Sequence, residues 1–173
     1  MTFYNSKKTK FADFFNSEAP RLRRYARALC GSMEMADDLL HDCFERAWKN
    51  VNRWQPENNG RAWLFTIMHN IFITNLNRYE REVPLESHDD VLFDEDTNNN
   101  LILIHDMEKA LRSLPPKHRE VLLLAGLEQM GYEEIASTLE IPLGTVMSRL
   151  SRAREKLRTI MSAKSKLTVV STT

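Results

Sequence analysis

Apolar side chains recur at every third or fourth position through the first part of the chain, which is the spacing that gives a helix one buried face. Three stretches show this pattern: residues 11–29, 35–51 and 61–76. Gly31 and Ser32 stand between the first two stretches, and glycine ends helices while serine caps them. The polar stretch 55–60 separates the second from the third. The pattern predicts a block of three helices.

A second helical block follows residue 100. Its helices are predicted over residues 101–114, 117–125, 132–139 and 143–161. No stretch has the alternation of a strand, so the predicted fold class is all-α, with two small helical domains joined by a flexible acidic linker. The predicted domains are residues 1–82 and 101–163, the linker is 83–100, and a flexible tail covers 164–173.

The formal charges cancel over the whole chain, with 24 basic and 24 acidic side chains, but they are segregated along it. Residues 1–81 carry 13 basic and 9 acidic groups, and residues 109–173 carry 11 and 6. Residues 82–108 carry 9 acidic groups and no basic one. Such segregation is typical of two basic domains connected by an acidic tether.

Composition argues against several classes of protein. The chain has no run of about 18 apolar residues that would span a membrane, and its first residues lack the apolar stretch of a signal peptide, so we expect a cytoplasmic protein. Cys30 and Cys43 have neither metal-ligand nor disulfide-framework spacing, and the five histidines are scattered. We therefore predict that the chain is not an enzyme, with no catalytic residues, no metal, no cofactor and no small-molecule substrate.

A helix-turn-helix is predicted near the C-terminus. When residues 143–158 are rotated by about 100° each, one narrow side collects apolar side chains and the adjacent side collects hydrogen-bond donors. The apolar side holds Val146, Leu150, Ala153 and Leu157. The donors are Thr145, Ser148, Arg149, Arg152 and Lys156. The helix at 132–139 and the short turn that carries Pro142 complete the motif, which places the start of its second helix in the DNA major groove.

Two kinds of DNA contact are expected from this helix. Arg149 and Arg152 can each form a bidentate pair with guanine, whereas Arg154 and Lys156 are suited to phosphates, which supply affinity with little sequence information. The alternative interpretation is a solvated basic helix at the end of a bundle. The charged face, the preceding helix and the proline-bearing turn together favour DNA binding.

Three motifs resemble one family in the family's own order. Residues 114–158, LPPKHREVLLLAGLEQMGYEEIASTLEIPLGTVMSRLSRAREKLR, closely resemble region four of extracytoplasmic-function sigma factors. Residues 36–50, ADDLLHDCFERAWKN, are similar to their regions 2.1–2.2, and residues 61–81, RAWLFTIMHNIFITNLNRYER, to their regions 2.3–2.4. The resemblance covers most of residues 10–160, and three motifs in order are more specific than one helix-turn-helix.

The resemblance implies a set of partners. They are core RNA polymerase, through its beta-prime clamp helices and its beta flap, promoter DNA at the minus-ten and minus-35 elements, and an anti-sigma factor, which in this family is frequently anchored in the inner membrane. Polymerase-binding positions would be Asp38, Leu39, Leu40, His41, Asp42, Phe44 and Arg46. Minus-ten positions would be Trp54, Asn58, Asn59, Arg61, Asn70, Asn75 and Arg78. Minus-35 positions would be Thr145, Ser148, Arg149, Ser151, Arg152, Arg154 and Lys156.

Two departures and two alternatives qualify this interpretation. The family usually has Gln-Glu at His41 and Asp42, and many relatives have Arg or Lys at Met147. The acidic strip fits both a path toward the basic RNA exit channel and a self-repelling, extended tether. A stand-alone helix-turn-helix regulator remains the second hypothesis for the chain, and an enzyme the third.

Overall fold

In the computed structural model the described residues are 2–55, 57–82 and 99–170, and they form two compact units, residues 1–91 and 92–173. Every regular element in the described part of the chain is helical, which confirms the predicted all-α class. Most of the predicted linker, residues 83–98, lies outside the described residues.

The first unit is built from three helices and one short turn. They are α1 (Thr2–Cys30), α2 (Met33–Lys49), a single 3₁₀ turn (Val51–Arg53) and α3 (Gly60–Glu82). Ser32 caps α2 by accepting a hydrogen bond from the Met35 N–H at 3.4 Å, as the sequence predicts. The largest fully buried side chains of this unit are Phe11, Leu22, Tyr25, Leu29, Leu64, Phe65 and Met68.

Helix α1 begins at Thr2, nine residues before the start of the predicted apolar stretch. Contacts with the end of α2 and the following turn explain part of this extension. Lys7 Nζ donates to the Asn52 carbonyl oxygen at 3.0 Å, and Lys8 Nζ lies 5.3 Å from the centre of the Trp48 ring. A hydrogen bond and a cation–π contact are polar interactions that hydrophobic periodicity does not detect.

The described residues of the second unit form four helices: α4 (Asn99–Arg112), α5 (Pro116–Gly126), α6 (Tyr132–Thr138) and α7 (Leu143–Val170). α5 and α6 both pack on α7, and the buried side chains between them include Val121, Leu124, Ile135, Val146, Leu150 and Ala153. α7 continues to Val170, where the sequence predicted a tail from residue 164. The segment 162–170 has no glycine or proline to end the helix, which accounts for the difference.

The turn between α6 and α7 adopts a left-handed conformation at a residue that is not glycine. Glu140 has a φ of 53°, and the next amide, from Ile141, donates to the Ala136 carbonyl oxygen at 3.0 Å. Pro142 then starts α7, accepting from the Thr145 N–H at 2.9 Å. The turn therefore closes one helix and opens the next within four residues, which fixes the direction of α7.

Candidate nucleic-acid interface

The predicted donor face of α7 lies on the side away from the core of its unit. Val146, Leu150 and Ala153 are at most 1% exposed, whereas Ser148, Ser151 and Arg152 are exposed and Thr145 and Arg149 are half-buried. Met147 and Leu143, which the sequence analysis did not assign to DNA, are also exposed on the first turns of this helix. The structure thus presents polar and apolar side chains together at the end expected to enter a groove.

Helix α6 supports this face through Tyr132. Its hydroxyl lies 3.4 Å from Nη1 of Arg154, which donates to it, so an exposed hydrogen bond links the start of α6 to the middle of α7. Ser148 Oγ donates to the Thr145 carbonyl oxygen at 3.1 Å, within its own helix. Arg154 therefore lies on the side of α7 that faces α6, and both Arg154 and Lys156 are exposed.

A histidine on α5 also belongs to this surface, and the sequence analysis missed it. The pKa of His118 is lowered from 6.5 by burial first, and then by the positive charges of Arg152, Arg149 and Lys156. Two of these three cations are predicted to contact base edges. No periodic pattern within α5 could have found His118, because its neighbours come from a helix about thirty residues later in the sequence.

The predicted minus-ten loop is held between two aromatic side chains and the start of α3. Trp54 is 4% exposed and stacks on Phe14, with ring centres 5.4 Å apart and planes at 27°. The predicted contact between Trp54 and a base stays a prediction. In this unit the Trp54 ring is part of the core next to Gln55 and residues 57–59.

Gly60 permits this close packing. A Cβ atom at Gly60 would stand 2.9 Å from Trp54 Nε1 and 3.0 Å from Phe14 Cζ, closer than real Cβ contacts. Nε1 of Trp54 is buried and makes no hydrogen bond in the described part of the chain. The indole nitrogen is therefore packed closely against the start of α3, and a side chain at residue 60 would force these rings or the backbone to shift.

The two asparagines of the loop are exposed, and both also stabilise its conformation. Asn59 Oδ1 accepts from the Ala62 N–H at 3.1 Å, which is the geometry of a helix N-cap. Asn58 Nδ2 donates to Oε1 of Gln55. The residues predicted to contact DNA thus have a structural role in the free protein, and their exposed edges are held in fixed positions.

The remaining predicted minus-ten residues lie along α3. Asn70 and Arg78 are exposed, and Arg61 and Asn75 are half-buried. At about 100° per residue, the four spread over roughly half of the helix circumference. The Asn70 backbone oxygen accepts a hydrogen bond from Thr74 Oγ1 at 2.7 Å. The Asn70 side chain is exposed, so its amide lies at the surface. This half of α3 offers amides and cations side by side.

The predicted polymerase-binding residues of α2 separate into two groups. The exposed group is Asp38, His41, Asp42 and Arg46. Leu39 and Leu40 are core residues, 2% and 7% exposed, and their role in polymerase binding stays a prediction. Phe44 is half-buried, with its ring 4.8 Å from Phe15. The outward surface of α2 is consequently charged, and Asp42 and Arg46 line a shallow open depression on it.

The buried cysteine of α2 is chemically inert. Burial raises the pKa of Cys43 to about 12, partly offset by the positive charge of Arg46, and its Sγ contacts the Leu64 carbonyl oxygen at 3.7 Å. A thiol with that pKa carries almost no thiolate at neutral pH. Among the described residues, no cluster of three or more potential ligands could hold a metal ion, and no helix is long and apolar enough to cross a bilayer.

Comparison with known proteins identifies both units. Residues 15–69 match the family model for the sigma2 domain of PhyR, and residues 104–157 match the model for Sigma-70, region 4. The two domains together define the class as a sigma factor. The chain is 35% identical over 144 residues to the ECF RNA polymerase sigma factor EcfG of Rhodopseudomonas palustris strain TIE-1, covering 82% of this chain and 80% of that one. The chain belongs to the ECF RNA polymerase sigma factors, as its motifs predicted.

Two solved structures are similar over both units. The sigma factor RpoE of Bartonella quintana, determined in complex with the anti-sigma factor NepR, superimposes with a TM-score of 0.73 at 30% identity, covering 88% of this chain and 97% of that one. CnrH, determined in complex with the cytosolic domain of CnrY, gives a TM-score of 0.66 at 25% identity and covers 88% of both chains.

Proposed function

We propose that this sigma factor binds core RNA polymerase, directs it to promoters through two separate DNA contacts, and is itself controlled by an anti-sigma factor. The observation that carries the proposal is the order of the two matched domains, with the donor face of α7 turned away from its own core. In this assignment the chain recognises DNA and contributes no catalytic step. It acts in the cytoplasm, and a membrane-anchored anti-sigma factor would hold it at the inner membrane.

Recognition of the minus-35 element is assigned to α7. Arg149 and Arg152 contact base edges, and Thr145, Ser148 and Ser151 complete the surface in the groove. Arg154 and Lys156 bind the flanking phosphates. Arg149 is half-buried against its own unit, which restricts its rotamers and reduces the entropy lost when it pairs with a base.

Recognition and opening at the minus-ten element are assigned to residues 57–59 and α3. Extracting a base from the duplex costs a few kcal/mol, which the site must recover through hydrogen bonds and stacking. Asn58, Asn59 and Asn70 supply exposed amide groups, and Arg61, Asn75 and Arg78 supply contacts along the strand. Because Trp54 and Gly60 fix both ends of the loop, little additional ordering is needed on binding.

Polymerase binding is assigned to the exposed face of α2. Asp38, His41, Asp42 and Arg46 present mixed charge at the surface, and Leu39 and Leu40 hold that face on the core from beneath. Complementary charge sets the orientation and rate of association more than its final affinity. Phe44 contributes only the part of its ring that stays exposed.

Control by an anti-sigma factor is supported by the two solved relatives, both determined in complex with a partner, NepR in one case and CnrY in the other. The similarity to RpoE of Bartonella quintana spans almost that whole chain. A protein that covers α2 or α7 would prevent the contacts proposed above. We therefore expect a NepR-like or CnrY-like protein to inhibit transcription by this chain.

The test is transcription in vitro on genomic fragments of the source organism. The purified chain with core polymerase should give discrete start sites that neither component gives alone, and Arg149→Ala or Arg152→Ala should weaken promoter binding by about 1–3 kcal/mol and relax base preference. Arg24→Ala, which removes an exposed arginine from α1, is the matched control. Tight promoter binding without any affinity for polymerase would refute the proposal in favour of a stand-alone regulator.

The minus-ten assignment has its own test. Asn70→Ala should impair strand opening, followed with permanganate or a fluorescent base, while affinity for core polymerase stays at the wild-type level. Asn52→Ala is the matched control, because Lys7 binds the backbone oxygen of Asn52 and the substitution leaves that bond in place. Loss of polymerase affinity in Asn70→Ala would contradict the assignment.

A further inference from the structure

His118 is the third residue of α5, which begins at Pro116 and packs on α7. Its side chain is half-buried, and its imidazole makes no hydrogen bond or ion pair with any described residue. Its backbone N–H donates to the Pro115 carbonyl oxygen at 2.9 Å. A half-buried ring with no partner among the described residues can donate to or accept from a group supplied from outside.

The charges that lower the pKa of this ring are all positive and come from Arg149, Arg152 and Lys156 on α7. Lys117 and Arg119 are its sequence neighbours on α5. No charge from α4 or α6 is among the causes that lower its pKa. The free protein therefore keeps His118 neutral near pH 7, because burial and its neighbours both oppose a further positive charge.

A phosphate beside His118 would favour the protonated form of its imidazole over the neutral form. The same three α7 cations are assigned to promoter DNA, so duplex binding brings the backbone beside the first turn of α5. Pro115 at the start of α5 provides no side-chain cap, and the partial positive charge of the helix N-terminus adds potential in the same direction. A phosphate there would neutralise the neighbouring cations and accept a hydrogen bond from the ring.

We propose that the DNA-binding surface extends from α7 onto α5, where His118 donates to a backbone phosphate as an imidazolium and promoter binding takes up a proton. The inference rests on the proposed recognition of DNA by α7. It adds a second helix to the interface and makes that contact sensitive to pH. Because a phosphate has no sequence identity, the contact adds affinity on every sequence.

The direction of the pH effect follows from linkage. The pKa of His118 is lowered in the free protein and raised when a phosphate lies beside it. The extra affinity is fully present below the free-state pKa and is lost as the pH rises through the bound-state pKa. Binding should therefore be tighter at about pH 6 than at about pH 8, within the range where histidine titrates.

The experiment measures binding of the full chain to a short DNA duplex of unrelated sequence by fluorescence anisotropy, across this pH range and from about 50 to 200 mM salt. His118→Gln should bind with a weaker pH dependence than wild type. At low pH, the slope of log affinity against log salt concentration should be shallower by about 0.9 for His118→Gln than for wild type. Between about 50 and 200 mM salt the variant should therefore lose about 3.5-fold less affinity than wild type loses. His118→Lys, a permanent cation, should bind at high pH as wild type binds at low pH.

Two further variants separate this inference from the function on which it rests. His69→Gln, in the first unit, is the matched control for the loss of a histidine side chain and should keep the wild-type difference in binding between low and high pH. Lys156→Ala, which removes a cation assigned to phosphates, should weaken binding at every pH. If Lys156→Ala is weakened and His118→Gln keeps the full pH dependence and salt slope of wild type, the inference fails and DNA binding by α7 stands. If neither substitution affects binding, both fail.

Discussion

Replacing Gly60 with alanine tests whether the aromatic packing around Trp54 positions the minus-ten loop. The new methyl group would lie 2.9 Å from Trp54 Nε1, and 3.0 Å and 3.3 Å from two carbon atoms of the Phe14 ring. Neither ring can move easily, since each stacks on the other and both contact Phe11. The strain must therefore be relieved by moving the loop or the start of α3.

The expected change in the free energy of unfolding for Gly60→Ala is the difference between two opposing effects. Overpacking a well-packed core costs about 1–3 kcal/mol. Replacing glycine with alanine also lowers the conformational entropy of the unfolded chain, which stabilises the protein by about 0.4–1 kcal/mol. The free energy of unfolding of the first unit should fall by about 0.5–2 kcal/mol. Gly126→Ala, where no atom lies within 4 Å of the added carbon, should show only the favourable term.

Urea unfolding can resolve the two units. All three tryptophans, Trp48, Trp54 and Trp63, belong to the first unit, so their fluorescence reports its unfolding alone, while circular dichroism reports both. Gly60→Ala should lower the tryptophan midpoint and also slow promoter opening with core polymerase. A midpoint equal to or above that of wild type would refute the reasoning that these rings are rigid and closely packed.

Three other perturbations have defined outcomes. Glu140→Gly should stabilise the second unit by about 0.5–1 kcal/mol in urea, because a φ of 53° costs an L-residue more than the entropy that glycine adds. Cys43, with its pKa raised to about 12, should resist alkylation in the native protein, while half-buried Cys30 reacts. The free energy of unfolding should fall as the pH rises above 9.0, because the Cys43 thiol then ionises in the unfolded chain but not in the folded one. Asp42→Lys should weaken binding to core polymerase without loss of stability, whereas Leu39→Ala should cost about 2–5 kcal/mol in unfolding.

Each of these has a control within the chain. Ser137→Gly lies inside α6 and should destabilise by about 0.5–1 kcal/mol, so a Glu140→Gly variant that behaves like it would contradict the turn argument. Cys43→Ala should abolish the alkaline fall in stability, and a fall that persists would assign it to another group. Equal polymerase binding by Asp42→Lys and wild type would remove the exposed face of α2 from the proposed interface.

Hydrophobic periodicity predicted the helices well because burial in both units follows one face of each helix. Val146, Leu150 and Ala153 are buried as the rotation of α7 predicted. The ends of helices were less predictable. The start of α1 depends partly on polar contacts of Lys7 and Lys8, and α7 continues to Val170 because no residue stops it.

The candidate site was predictable where its residues stand on one helix and less so where it depends on tertiary packing. The family motif marks Leu39, Leu40 and Trp54 as part of functional regions, but a motif does not distinguish a residue that touches a partner from one that supports the surface from below. His118 could not be assigned from the sequence of α5, because the charges that lower its pKa come from α7. Proximity between helices is the information that the sequence lacked.

Each unit closes a hydrophobic core of its own, so the chain between them matters chiefly for effective concentration. In the proposed function, once one unit is bound at its element, the covalent connection confines the other to a small volume near the second element, and such linkage raises overall affinity by about 10²–10⁴ without any new contact. Two units supplied as separate polypeptides would keep their folds and lose that factor. Cleavage between them would then silence the protein while leaving every contact surface intact.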